Sequence, residues 1–258
     1  MLKRGQVTVF IIIGILVFLI VSGILIARSF LVTEELKGEG EQAQLLGATV
    51  QSYIQSCLKE TAEDALIFVG QQGGYYQLPS LHESDLLQPF YWYENQSYLP
   101  KKEEIEQQLS LYVDNELFFC LRNFVVFENQ GYEIQEKEVQ TTTKLGKEET
   151  VFTMSFPVEI TQGKASRTIA TFSVEIPSRL ETIYNAIEKL IEEGQQNPTA
   201  VCISCIARMI SENELKVETI PFDDKVAFTV IDEKILIDSQ PYEFRFVHKY
   251  QFEEAVLK

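Results

Sequence analysis

Residues 151–177 read VFTMSFPVEITQGKASRTIATFSVEIP. Phe152, Met154, Phe156, Val158 and Ile160 alternate with Thr153, Ser155, Pro157 and Glu159, a period of two that puts the apolar set on one face of a strand. Thr161-Gln162-Gly163-Lys164 turns the chain, and Ala170, Phe172, Val174 and Ile176 alternate on the way back. This is a hairpin with one buried face. Pro157 has no N–H to give to a ladder, so its strand belongs at an edge or is bulged there. Tyr132–Thr143, ahead of Lys144-Leu145-Gly146-Lys147, supplies a preceding strand.

On both sides of the hairpin the period changes to that of a helix. Ile105, Leu109, Tyr112, Val113, Leu117, Cys120 and Leu121 form a stripe over Lys101–Phe124. Further upstream, Leu46, Val50, Tyr53, Ile54, Cys57, Leu58, Ala65, Leu66 and Val69 do the same over Ala43–Gly70, and Gln71-Gln72-Gly73-Gly74 stops that helix. Behind the hairpin, Ser178-Arg179-Leu180-Glu181 has capping-box spacing. It opens a helix that buries Leu180, Ile183, Tyr184, Ile187, Leu190 and Ile191 and stops at Gly194. Asn197-Pro198 caps a second helix with Val201, Cys205, Met209 and Ile210 as its stripe. Between the first two helices, Phe90–Tyr93 is a strand, Glu94-Asn95-Gln96-Ser97 a turn, and a short return strand follows. At the C-terminus, Val226–Ile231 and Ile235–Ile237 flank a turn at Asp232-Glu233-Lys234, and Tyr242, Phe244 and Phe246 complete a meander. Helices and antiparallel strands come in blocks, which is the pattern of an α+β fold with a helical hairpin.

The N-terminus is of another kind. Gly5–Ala27 reads GQVTVFIIIGILVFLIVSGILIA and holds no charged residue between Lys3-Arg4 and Arg28. As a helix it would extend about 34 Å, enough for a hydrocarbon core of roughly 30 Å. The run is longer than the apolar region of a cleaved secretory signal and ends in Arg28 without an A-x-A-like site. Residues 6–28 therefore read as a retained single-pass transmembrane helix in contact with lipid. Lys3, Arg4 and the initiator amine keep the short end cytoplasmic and put the C-terminal domain outside the cell membrane. Residues 29–42, with Gly38 and Gly40 among charges, form a hinge, and 43–258 the extracytoplasmic domain, which would subdivide, if anywhere, near 125–130. Three of the 22 basic residues and none of the 38 acidic ones fall in residues 1–28, so the domain is more acidic than the chain's net −16. Such a domain is repelled by nucleic acid, which excludes that partner.

Lys3-Arg4-Gly5-Gln6-Val7-Thr8, set directly against the apolar run, resembles the class III signal peptide of archaeal type IV pilin-like proteins. The resemblance implies cleavage of residues 1–5 between Gly5 and Gln6, an N-terminal helix retained on the mature protein, and assembly with other surface proteins or with copies of itself. Many members carry Glu at the fifth mature position, where this chain has Phe10. More loosely, the whole chain resembles uncharacterised membrane-anchored archaeal proteins.

Candidate chemistry is sparse. Outside the cell the four cysteines would tend to oxidise, with three possible connectivities. Cys57 and Cys120 each lie on a buried helical stripe, and a bridge between them would close a long loop worth roughly 4 kcal/mol in the chain-entropy model. Cys202-Ile203-Ser204-Cys205 is a C-x-x-C that reads as lying inside a helix that follows another helix. A local disulfide or a pair of semi-buried thiols is the plainer reading there, and thiol oxidoreductase activity an alternative. His82 and His248 stand in no metal-ligand spacing, and no nucleophile–base, phosphate-loop or dinucleotide motif occurs, so no cofactor is implied. Tyr75, Tyr76, Tyr91, Trp92 and Tyr93 offer either an aromatic platform or, more plainly, internal packing. Asn95-Gln96-Ser97 is a glycosylation sequon on an exposed turn. The residues point to a non-catalytic, membrane-anchored interaction or assembly domain, with a tethered ligand-binding or sensor module as the alternative.

Overall fold

The computed structural model describes residues 17–18, 21–22, 47–195 and 200–250. The leader with its Gly5–Gln6 junction, most of 6–28, the hinge and Asn197-Pro198 lie outside the described residues. Among the described residues no helix is long and apolar enough to cross a membrane. From residue 47 onward the described residues form a mixed α+β domain of helices packed on two sheets.

The first helix, α1 (residues 47–71), buries Val50, Ile54, Cys57, Leu58, Ala62, Ala65, Leu66 and Val69, spaced by three and four as one stripe requires. It ends where Gly74 N–H returns to the Val69 carbonyl at 2.7 Å. Gly73 has φ +56°, and a Cβ there would come within 2.5 Å of the Arg245 carbonyl, so this turn requires glycine. α2 (Lys102–Leu121) runs back beside it, and the one-turn α3 (Val125–Glu128) follows. The sulfurs of Cys57 and Cys120 are at bonding distance, 2.07 Å, which ties α1 to α2. α2 is fixed to its other neighbours by buried Glu106, whose carboxylate takes Lys144 Nζ at 2.6 Å and Leu145 N–H at 3.1 Å, and by Lys102 to Glu181 at 2.8 Å.

Two sheets flank the α1–α2 pair. The second sheet begins earlier in the chain, with β1 (His82–Glu83), β2 (Gln88–Tyr93) and β3 (Gln96–Ser97). In the first sheet, β4 (Glu133–Glu136) and β5 (Gln140–Leu145) both pair with one side of β6 (Glu149–Gln162), and β7 (Ala165–Pro177) pairs with the other. The quoted hairpin is therefore β6–β7, with Gly163 at φ +65° in its turn. Pro157 is at a bulge: pairing jumps from Ser155↔Thr171 to Val158↔Ile169, and the Pro157 carbonyl instead accepts Lys137 N–H at 3.0 Å. The expected single strand before the hairpin is two short strands, one on each side of that bulge.

In the second sheet the order is β1, β2, β10 (Gln240–Lys249), β9 (Lys225–Ile237), β8 (Lys216–Phe222), with β3 also on β2. The pairing within both sheets is antiparallel, as expected, except that β2 and β10 run parallel, with Val247 opposite Phe90 and His248 opposite Trp92. Gln-Pro-Phe-Tyr-Trp is buried throughout, the mark of a strand covered on both faces rather than of a half-exposed hairpin arm. Asp232–Lys234 is not a turn. β9 continues through it, and Glu233, Lys234 and Ile235 form a bulge between Leu236↔Pro241 and Asp232↔Tyr242. The turn lies at Asp238-Ser239, both with positive φ, as a tight hairpin requires.

α4 (Leu180–Gly194) buries the expected side chains. Ser178, however, is not its cap: it is buried and its hydroxyl meets Thr150 Oγ1 at 2.7 Å, so the hydroxyl is engaged by β6. One continuous cluster of buried side chains joins α1, α2, α4, α5 (Ile203–Asn213) and both sheets, with Phe246 stacked between Tyr91 and Phe228 at 4.7 and 5.0 Å. Replacing both Cys57 and Cys120 by Ala is expected to lower unfolding free energy by about 4 kcal/mol through the loop of 63 residues that it reopens. Urea titration of the full chain in detergent, followed by far-ultraviolet circular dichroism, reads that loss.

Candidate functional site

The helical hairpin α4–α5 covers the β2–β10–β9–β8 sheet, and α5 begins later than its sequence suggests. Cys202 is the N-cap of α5, its sulfur accepting Cys205 N–H at 3.3 Å. The C-x-x-C therefore opens the helix instead of lying inside it. A helix start leaves backbone N–H groups without intrahelical partners and carries the positive end of the dipole, both of which favour a thiolate over a thiol. Cys202 is half-buried while Cys205 is buried, their sulfurs are within bonding distance, and Ser204 Oγ stands 3.5 Å from Cys202 Sγ.

Cys202 also walls a small cavity of about 10 Å³, room for one water. Trp92, Phe228, His248 and Tyr250 line it from the sheet, and Leu190, Ile191 and Val201 from the helical side. His248 Nδ1 lies 3.1 Å from the Tyr250 hydroxyl. Burial pushes the imidazole down to about 3 and the Tyr250 phenol up to about 12, so both are neutral at physiological pH. His248 Nε2 and Trp92 Nε1, on adjacent strands, are buried and among the described residues meet no hydrogen-bonding group.

A buried ion pair holds the other end of α5. Arg179 Nη1 donates to Asp232 Oδ1 at 3.0 Å and Nη2 to the Asn213 carbonyl at 2.6 Å, and Lys234 N–H in the β9 bulge donates to the same Asp232 oxygen. Nothing in the sequence signals this pair, because a bulge that turns one carboxylate inward has no composition of its own.

A second feature lies where α2 ends. Arg122, Asn123 and Phe124 all have positive φ, at 47°, 51° and 54°, a run of left-handed residues that costs roughly 1–2 kcal/mol each. Tyr53 of α1 holds the turn, donating its hydroxyl to the Cys120 carbonyl at 2.8 Å and packing edge-on against Phe124 and Phe127. On either side of the turn Phe118, Phe119, Val125 and Val126 are 55%, 62%, 49% and 56% exposed. Through Tyr53 this apolar end is joined to the first turns of α1.

Of the other residues singled out by sequence, Asn95 is exposed at the β2–β3 turn with φ +61°. The aromatic group is dispersed: Tyr91 and Trp92 are core, while Tyr76 packs with Phe68 and Tyr112. His82 Nδ1 is engaged by the Pro79 carbonyl. Among the described residues no group of three or more His, Cys, Asp or Glu side chains is placed to hold a metal ion. Comparisons with protein-family models, curated proteins and solved structures return no match.

Because the folded imidazole of His248 titrates below its ordinary value of 6.5, the unfolded chain binds the extra proton between the two. The stability from the neutral ring is complete above pH 6.5 and is lost as pH falls toward about 3. Unfolding free energies from urea titration at pH 7 and pH 5 are expected to differ by about 2 kcal/mol from this group, and His248→Gln is expected to flatten that difference.

Proposed function

We propose that this chain is a single-pass, pilin-like surface protein, anchored by residues 6–28 with its N-terminus cytoplasmic, whose extracytoplasmic domain works by binding other surface proteins or copies of itself. The observation that carries the reading is the uncharged Gly5–Ala27 run set behind Lys3-Arg4-Gly5. The residues of that run which the structure describes, Val17, Phe18, Val21 and Ser22, are helical, and the first three expose their apolar side chains. Cysteine pairs at bonding distance suit an oxidising exterior. The exposed Phe118, Phe119, Val125 and Val126 side chains offer apolar contact area to a partner. Asn95 is open to glycosylation there.

Two measurements test this. Intact-mass spectrometry of membranes washed with alkaline carbonate is expected to find the protein retained, with its N-terminus at Gln6. Release into the wash would remove the anchor, and a retained Met1–Gly5 overturns processing by a pilin-type peptidase. Phe118→Glu with Phe119→Glu is expected to abolish cell-surface crosslinks between this protein and its partners while changing stability by less than about 1 kcal/mol, since both rings are exposed. Unchanged crosslinks would exclude this surface.

A further inference from the structure

We propose that Cys202–Cys205 is an exchangeable disulfide that oxidises dithiols of partner proteins, with Cys202 the sulfur that partners attack. The inference is independent of the membrane anchor and rests on three features of the α5 start.

The first is access. Cys202 is half-buried and Cys205 is buried, so Cys202 is the more accessible member of the pair to an incoming thiolate. The second is leaving-group stability. As a thiolate, Cys202 keeps the Cys205 N–H and the nearby Ser204 hydroxyl, together with the helix dipole, and a thiolate so held is a good leaving group. The third is the wall behind the sulfur. Trp92 Nε1 offers a donor and His248 Nε2 a second polar ring atom, both on side chains more than nine-tenths buried and, among the described residues, without a hydrogen-bond partner at these atoms. An unmatched buried polar atom is costly, and two of them belong to side chains that wall the cavity Cys202 completes, a place suited to a small polar group.

The exchange balances without a cofactor. A partner thiolate forms a bond to Cys202 Sγ, the Cys202–Cys205 bond breaks, and Cys205 leaves as a thiolate that takes up a proton. The partner's second thiolate then attacks its own bonded sulfur and expels Cys202, which is protonated or held as the thiolate. The partner dithiol becomes a disulfide, and two electrons pass to the Cys202–Cys205 pair. Cys57–Cys120 resembles it in access, since Cys57 is buried and Cys120 half-buried, but differs in leaving-group stability: Cys120 lies in the last turn of α2 with Glu60 Oε2 3.7 Å from its sulfur, and both the helix C-terminus and the carboxylate disfavour a thiolate there.

The test uses the full chain in detergent with dithiothreitol as the dithiol probe, followed by alkylation and peptide mass spectrometry. Cys202 and Cys205 are expected to become alkylated at dithiothreitol concentrations at least tenfold below those that open Cys57–Cys120. In protein reduced in that way, iodoacetamide at pH 6 is expected to label Cys202 at least tenfold faster than Cys205. Both arms use the unmutated protein, and unchanged circular dichroism after reduction shows that the fold persists. Simultaneous opening of the two bridges, or equal labelling of the two thiols, overturns the proposal.

Discussion

One helix face holds this domain together. The stripe from Val50 to Val69 on α1 packs into a single core shared by both sheets. Near its start Gln55 Nε2 donates to the Ser173 carbonyl of β7, and near its end Gly70 approaches so close to Glu243 in β10 that a Cβ would lie 2.6 Å from that carbonyl. A single helix thus spans the two sheets, and no other described element does so with so continuous a buried stripe. A polar substitution within it would expose unmatched groups to both sheets at once, which is why its period is so strict. The acid-rich outer surface is under no such packing demand.

The turn at Arg122–Phe124 is a consequence of that packing. α2 must stop beside Cys57 and Tyr53 for its own stripe to remain on α1, yet Phe124 has to enter the core, where it stacks on Phe156 at 6.4 Å. Three left-handed residues reverse the chain in the space available. The strain is held by Tyr53, by the Cys57–Cys120 bridge and by burial of Phe124 and Phe127, and the chain around it leaves Phe118, Phe119, Val125 and Val126 facing outward. The contacts of Tyr53, Phe124 and Phe127 thus fix the backbone that carries this exposed apolar set.

Much of this architecture is legible in the sequence wherever one periodicity acts alone. The α1 and α2 stripes, the β6–β7 hairpin and the α4 stripe are set by which side chains must leave water, and local order reports that directly. What was not legible depends on partners distant in the chain. Phe90–Tyr93 joins β10 in parallel because residues far later in the chain complete the sheet. Asp232-Glu233-Lys234 has turn composition but bulges within a strand, since the sheet needed Asp232 inside to meet Arg179. Ser178 has the sequence of a cap, yet Thr150 claims its hydroxyl. The C-x-x-C is visible as a motif, while its place at a helix start is not, because a cysteine carries no ordinary capping signal. His248 continues the Tyr242, Phe244, Phe246 alternation, and that period alone marks it as core.

The misplaced helix start matters because α5 is lightly held. Only Cys205 and Met209 of its side chains are buried. Its far end is fixed by Arg179, which reaches the Asn213 carbonyl while anchored on Asp232 of the β9 bulge. Its near end is fixed by Cys202 against the wall of Trp92 and His248. These attachments are separate: the first is an ion pair and a backbone hydrogen bond, the second a thiol pair and a cavity wall. Opening the thiol pair removes a constraint from the first turn of α5 and leaves the Arg179 clamp intact, so α5 stays on the sheet. The bulge in β9 and the C-x-x-C at α5 are in this sense one arrangement, in which the buried carboxylate fixes the helix so that its N-terminal sulfur can change state locally.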